Sequence, residues 1–201
     1  MSQAEVFIIE SLDFDDERKQ SFEGRIISDI LALSGKQCEY RYIRTKRELA
    51  EVLQQFSSSH YRYLHLSCHG NDNSLYTRLD RIPFGEFGQL IAPHIKKRRL
   101  FVSACSATNR HFADSVMPGS GCYSILGPHQ DILFGDAAVL WASFYHVMFR
   151  ADSTAMKYAT IKAKAQEVAN LYRVRLTLID HHISSSELYR IKKITPQKEP
   201  S

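Results

Sequence analysis

The chain has little of what marks the specialised protein classes. Only four cysteines, Cys38, Cys68, Cys105 and Cys122, occur in 201 residues. That is too sparse for the disulfide framework of a small secreted domain, and no Cys-x-x-Cys pair begins a zinc site. A reducing compartment, the cytoplasm, is the expectation. No Gly-rich phosphate loop follows the first apolar run, where Glu10-Ser11-Leu12-Asp13 stands instead, so a flavodoxin-like ligand-binding protein is disfavoured. The amino terminus, Met1 to Glu5, lacks the basic start and apolar stretch of a signal peptide. The longest apolar segment, Ile132 to Phe149, is interrupted by Gly135, Asp136, Ser143 and His146, and reads as a buried helix and not as a membrane span.

Charge of one sign is also lacking. Twenty-six basic residues face 22 acidic ones, a net charge of +4. Two basic clusters exist, Lys96 to Arg99 and the set Arg190, Lys192, Lys193 and Lys198. Neither is interleaved with aromatic side chains that stack on bases, so they read as a solvated helix end and a soluble tail, with no direct nucleic-acid partner.

What is present is an ordinary globular composition, 44% hydrophobic, patterned as alternating strands and helices. Val6 to Ile9 is a buried strand, and the acids Asp13, Asp15, Asp16 and Glu17 suit a helix start before Phe22, Ile26, Ile27, Ile30, Leu31 and Leu33. Cys38 to Ile43 is a second strand, and Thr45-Lys46-Arg47-Glu48 matches a capping box opening a helix. Tyr61 to Ser67 is a third strand, followed by a long polar loop from Gly70 to Arg81, a short helix around Phe84 to Ile91, and a fourth strand, Leu100 to Ser103. A helix over Asn109 to Val116, a strand over Cys122 to Leu126, helices over 131–149 and 153–171, and a weaker strand over 188–194 complete the pattern. This alternation predicts an α/β fold with a mainly parallel sheet and helices on both faces. Residues 1–194 are expected to form one domain and 195–201 a flexible tail.

Two stretches share one form, an apolar run that ends at a reactive side chain. The first is Tyr63-Leu64-His65-Leu66-Ser67-Cys68-His69-Gly70, and the second is Leu100-Phe101-Val102-Ser103-Ala104-Cys105. Each reads as a buried strand delivering its end to the carboxyl edge of the sheet, where ligands bind in open α/β proteins. As neighbours they bring an imidazole and a thiol to one rim, the minimum for a cysteine nucleophile with a histidine base. A glycine at 70 lets a substrate carbonyl approach the backbone, and the N–H of Cys105 is a second oxyanion donor. Cys68 with His65, His69 and Cys105 does not make a zinc set, because adjacent residues of an extended chain point to opposite faces; Cys68 is read as packing. His181-His182 after Asp180 is read as a surface turn, and Trp141, at helical spacing with Leu140, Phe144 and Met148, as core.

Strand-His-Gly followed by strand-Ser-Ala-Cys resembles the caspase-like cysteine peptidases, the group of caspases, separases, gingipains and bacterial CHAT domains. Tyr123-Ser124-Ile125-Leu126-Gly127, a following acid, then Ala138-Val139-Leu140 and Phe144-Tyr145, is similar to the CHAT branch, as is Ala155-Met156-Lys157-Tyr158-Ala159 running on to Ala165-Gln166. The resemblance spans most of Tyr61 to Leu171. It implies a three-layer α/β/α sandwich and an intracellular endopeptidase in which Cys105 attacks a peptide carbonyl, His69 moves the proton and Gly70 helps hold the oxyanion. It implies no metal and no cofactor, a protein or peptide substrate, and an activating protein partner in a bacterial regulated system. Ser106-Ala107 replaces the Arg-Gly of caspases, so cleavage after aspartate does not carry over, and the tryptophan usual near the central aspartate is missing. Asp131 and Asp136 follow the fifth strand, where the family builds its specificity pocket; an acid there favours a basic side chain, with helix capping as the competing role. A catalytically silent module of the same fold that binds a protein partner is the alternative.

Overall fold

The computed structural model describes residues 3–181 and 188–197. Its main sheet has seven strands: β1 (Gln3–Glu10), β2 (Cys38–Tyr42), β3 (Tyr61–Ser67), β7 (Arg99–Ser103), β8 (Ser124–Pro128), β9 (Leu176–His181) and β10 (Tyr189–Ile194), in the order β10-β9-β8-β7-β3-β1-β2. The five strands from β2 to β8 run parallel, and β9 is antiparallel to both of its neighbours. Alternate residues of each strand face opposite layers of helix, as pleating requires. Phe7, Ile9, Leu64, Leu66, Leu100 and Val102 pack against α3 (Lys46–Ser58), α4 (Phe84–Ile91) and α5 (Arg110–Val116). Val6, Ile8, Tyr63, Phe101 and Leu126 pack against α2 (Glu23–Leu33), α6 (Phe134–Ala151) and α7 (Tyr158–Tyr172). The molecule is therefore a three-layer α/β/α sandwich with a mainly parallel central sheet. Among the described residues, no helix is long and apolar enough to cross a membrane.

Local chemistry explains the element ends. Thr45 Oγ1 accepts the Glu48 N–H at 3.1 Å while Glu48 Oε2 accepts the Thr45 N–H at 2.9 Å, the reciprocal capping box that opens α3. The acidic cluster forms its own short helix, α1 (Phe14–Arg18), with Asp13 as N-cap. Gln20 at φ 62° separates α1 from α2, where a single helix start was expected.

Several other expectations are corrected. The polar loop after β3 folds into a small antiparallel sheet of β4 (His69–Gly70), β5 (Ser74–Tyr76) and β6 (Arg81–Pro83). Asn71 Oδ1 turns the chain between β4 and β5 by accepting the N–H groups of Asn73 and Ser74, both at 2.9 Å. The strand expected from Cys122 starts at Ser124, because Gly119 and Gly121, both in the left-handed region, extend the preceding turn. The last long helix begins at Tyr158, because Asp152 Oδ1 draws the N–H groups of Thr154 and Ala155 into a turn at 3.0 and 2.9 Å. His181 ends β9 and does not lie in a turn; Asp180 before it is buried and meets Arg190 of β10 at 3.0 Å. His182 and Lys198 lie outside the described residues. Thr195 and Gln197, assigned to the tail by the sequence, are hydrogen-bonded to side chains of α7.

Candidate active site

The parallel register of β3 and β7 pairs Ser67 with Ser103. The Cys68 N–H then donates to the Ser103 carbonyl at 3.0 Å, which carries the alignment past the strand ends. His69 and Cys105 each stand two residues beyond this matched pair, and both line one cavity of about 270 Å³.

Cys105 lies in a tight turn. Ser106 after it adopts φ 53°, a left-handed conformation uncommon for a residue with a side chain. Its N–H reaches the Gln130 carbonyl at 3.2 Å and its Oγ the Asp131 Oδ1 at 2.8 Å, tying the turn to the segment after β8. The Cys105 Sγ sits 3.5 Å from both the N–H and the carbonyl of Ile132. No described residue accepts a hydrogen bond from the Cys105 N–H. Gly70 packs on the same turn: a Cβ there would lie 2.9 Å from the Ala104 Cβ and 3.2 Å from the Cys105 carbonyl. The absence of a side chain at 70 is thus first a packing requirement.

His69 is held by acids of the segment that follows β1. Its Nε2 is 2.8 Å from Asp16 Oδ2 and 3.5 Å from Asp13 Oδ2, and its ring meets that of Phe134 edge-on at 5.2 Å. An ionised carboxylate can only accept, so Nε2 carries the proton and Nδ1 is left as the basic nitrogen. The hydrogen bond from the Asp16 N–H holds the Asp13 carboxyl below its ordinary range. Asp13, Asp16 and His69 offer three ligand atoms within 4.8 Å of one another; capping of α1 and the bond to the imidazole already account for these acids.

Glu23 also lines the cavity and is 2% exposed. Its Oε2 accepts from Ser67 Oγ at 3.2 Å and Ser103 Oγ at 3.0 Å, while Oε1 has no hydrogen-bond partner and lies 3.6 Å from His65 Nε2. His65 in turn meets the Tyr145 hydroxyl at 2.9 Å. Neither Asp131 nor Asp136 is among the cavity residues: Asp131 bonds Ser106, and Asp136 is exposed in the first turn of α6. The acids at the cavity are Asp16 and Glu23, which sequence reasoning did not assign to it. Strand order was the missing signal, since β1 lies beside β3 and the segment after it opens on the same edge.

Cys68 is buried, as expected of a packing residue, but it lines the same cavity as His69 and Cys105 and does not point away from them as an extended chain would require; burial pushes its thiol up to about 12. Burial likewise raises Cys122 to about 12 and Cys38 to about 11.

No family model and no curated protein matches the chain. Among solved structures it is similar to a secreted C11 cysteine protease from Bacteroides thetaiotaomicron, "iotapain", with a TM-score of 0.52 and 10% identity over 90% of this chain and 67% of that one. It also aligns with the Saccharomyces cerevisiae separase-securin complex, with a TM-score of 0.48 and 17% identity over 84% of this chain and 11% of that chain. The likeness to the C11 protease is one of fold.

Proposed function

We propose that the chain is a cysteine endopeptidase of the caspase-like, CHAT type, acting on protein or peptide substrates in a reducing compartment such as the cytoplasm. One observation carries this reading: the Ser67–Ser103 register sets His69 and Cys105 at equivalent positions on one cavity, with Asp16 behind the imidazole. His69 Nδ1 takes the Cys105 proton, and Sγ attacks the substrate carbonyl. The oxyanion is received by the Cys105 N–H with help from the Gly70 backbone. The protonated imidazole then hands its proton to the departing amine. Water, deprotonated by the same imidazole, hydrolyses the thioester and returns the thiol.

The cavity's acidic wall supports a basic side chain as the group bound before the cut. Glu23, with one oxygen unpartnered, is the selecting carboxylate in place of Asp131 and Asp136. The test is a peptide-library cleavage profile of the wild type, Cys105→Ala and Glu23→Gln. The wild type should cut after Arg or Lys, and Cys105→Ala should lose about a thousandfold or more in rate. Glu23→Gln should lose about tenfold or more of its preference for basic over neutral residues. Equal inertness of wild type and Cys105→Ala sinks the peptidase reading in favour of a binding module.

A further inference from the structure

At the opposite ends of β3 and β7 lies a second hollow, of about 380 Å³, unrelated to the catalytic pair. Arg62, Lys97, Arg99 and Lys157 converge on it, with Tyr123 and Met156 completing its wall and no carboxylate among its lining residues. The sequence reading assigned Lys96 to Arg99 to a solvated helix end. The structure instead makes Arg99 the first residue of β7, half-buried and bonded through Nη1 to Ser124 Oγ at 2.8 Å. Among the described residues neither Lys97, Arg99 nor Lys157 forms a salt bridge. Burial disfavours the charged guanidinium of Arg99, and the nearby charge of Arg62 adds to that penalty.

Two further features suit an anion. The 15-residue helix α7 starts directly after Lys157 with no side-chain cap, so its first N–H groups and its dipole add positive potential beside the hollow. The nearest acid in that segment, Asp152, is turned to the Thr154 and Ala155 N–H groups and the Thr154 hydroxyl at 2.9–3.0 Å. Tyr123 is 47% exposed at the rim, with the Arg99 guanidinium 5.6 Å from its ring centre. Cations gathered on a concave surface large enough for a small molecule, with no carboxylate among the lining residues and with Asp152, which feels the charge of Lys157, bonded to its own turn, describe a phosphate-binding site.

We propose that this hollow binds a small ligand carrying several phosphate charges. The experiment titrates the whole chain with sodium tripolyphosphate, ATP and a single-stranded DNA oligonucleotide by isothermal calorimetry at constant ionic strength. One-to-one saturable binding of tripolyphosphate or ATP is expected. Arg99→Gln should weaken it about tenfold or more, and Lys97→Gln or Lys157→Gln about threefold to tenfold. Lys192→Gln, an exposed cation on β10 outside the hollow, should leave it unchanged. Tighter binding of ATP than of tripolyphosphate adds stacking on Tyr123 to the same site. Because Arg99→Gln removes a bond to Ser124, the two rim lysine variants keep the test valid if that protein fails to fold. No heat with either phosphate compound, equal weakening by Lys192→Gln, or binding of the oligonucleotide alone overturns the proposal.

Discussion

Asp16 holds His69 from 53 residues upstream, through a 2.8 Å bond that leaves one face of the imidazole committed and the other basic. Replacing it by asparagine keeps the size and removes the charge that stabilises the imidazolium. Asp16→Asn is therefore expected to slow iodoacetamide labelling of Cys105 at pH 7 by about tenfold. In the wild type, Cys105 should be labelled well ahead of Cys38, Cys68 and Cys122, whose thiols burial pushes up to about 11, 12 and 12. Peptide mapping by mass spectrometry checks both; an unchanged rate in Asp16→Asn would remove the positioning role. His69 and Cys105 were legible because each closes an apolar run of strand length. Asp16 and Glu23 were not, since their acids look like any helix start until the neighbour of β1 is known.

Between elements, the contact that matters most to the site is β4 on the turn after β7. Gly70→Ala puts a methyl group 2.9 Å from the Ala104 Cβ and 3.2 Å from the Ala107 Cβ, so the Cys105 turn must move by a few tenths of an ångström. The expected outcome is a loss of about 1–3 kcal/mol in urea unfolding, with a fall in Cys105 reactivity that Ala→Gly changes at neighbouring position 104 partly restore. The parallel core was readable because β1, β3 and β7 are continuous apolar runs. The small sheet β4-β5-β6 was not, because strands of two or three residues are too short to show a periodicity, even with Leu75 and Ile82 buried at their centres. β9 escaped for a different reason: Thr177 and Asp180 are buried within it, and such residues look like a loop until Arg190 of β10 is seen to answer the acid.

For the molecule as a whole, Glu10 ties stability to pH. It is fully buried at the end of β1, and desolvation raises its carboxyl to about 7 despite the Gly24 N–H and Tyr40 hydroxyl bonded to it, each at 2.7 Å. The folded state thus holds a proton that the unfolded chain releases near 4.5, so this contribution is complete below about 4.5, falls as pH rises, and is gone above about 7. Unfolding free energy should drop by on the order of 2 kcal/mol from this group between pH 4.5 and 7.5, and Glu10→Gln should flatten that slope. Urea titrations of both proteins across this range decide it, and parallel slopes would refute the assignment. The two borders of the main sheet carry a different message. β2 shows Glu39 and Arg41 along one border, and β10 shows Arg190, Lys192 and Lys193 along the other. An identical chain laid beside either border in register would bring like charges together, so the sheet resists growth by self-addition and its open backbone groups are guarded against fibre formation.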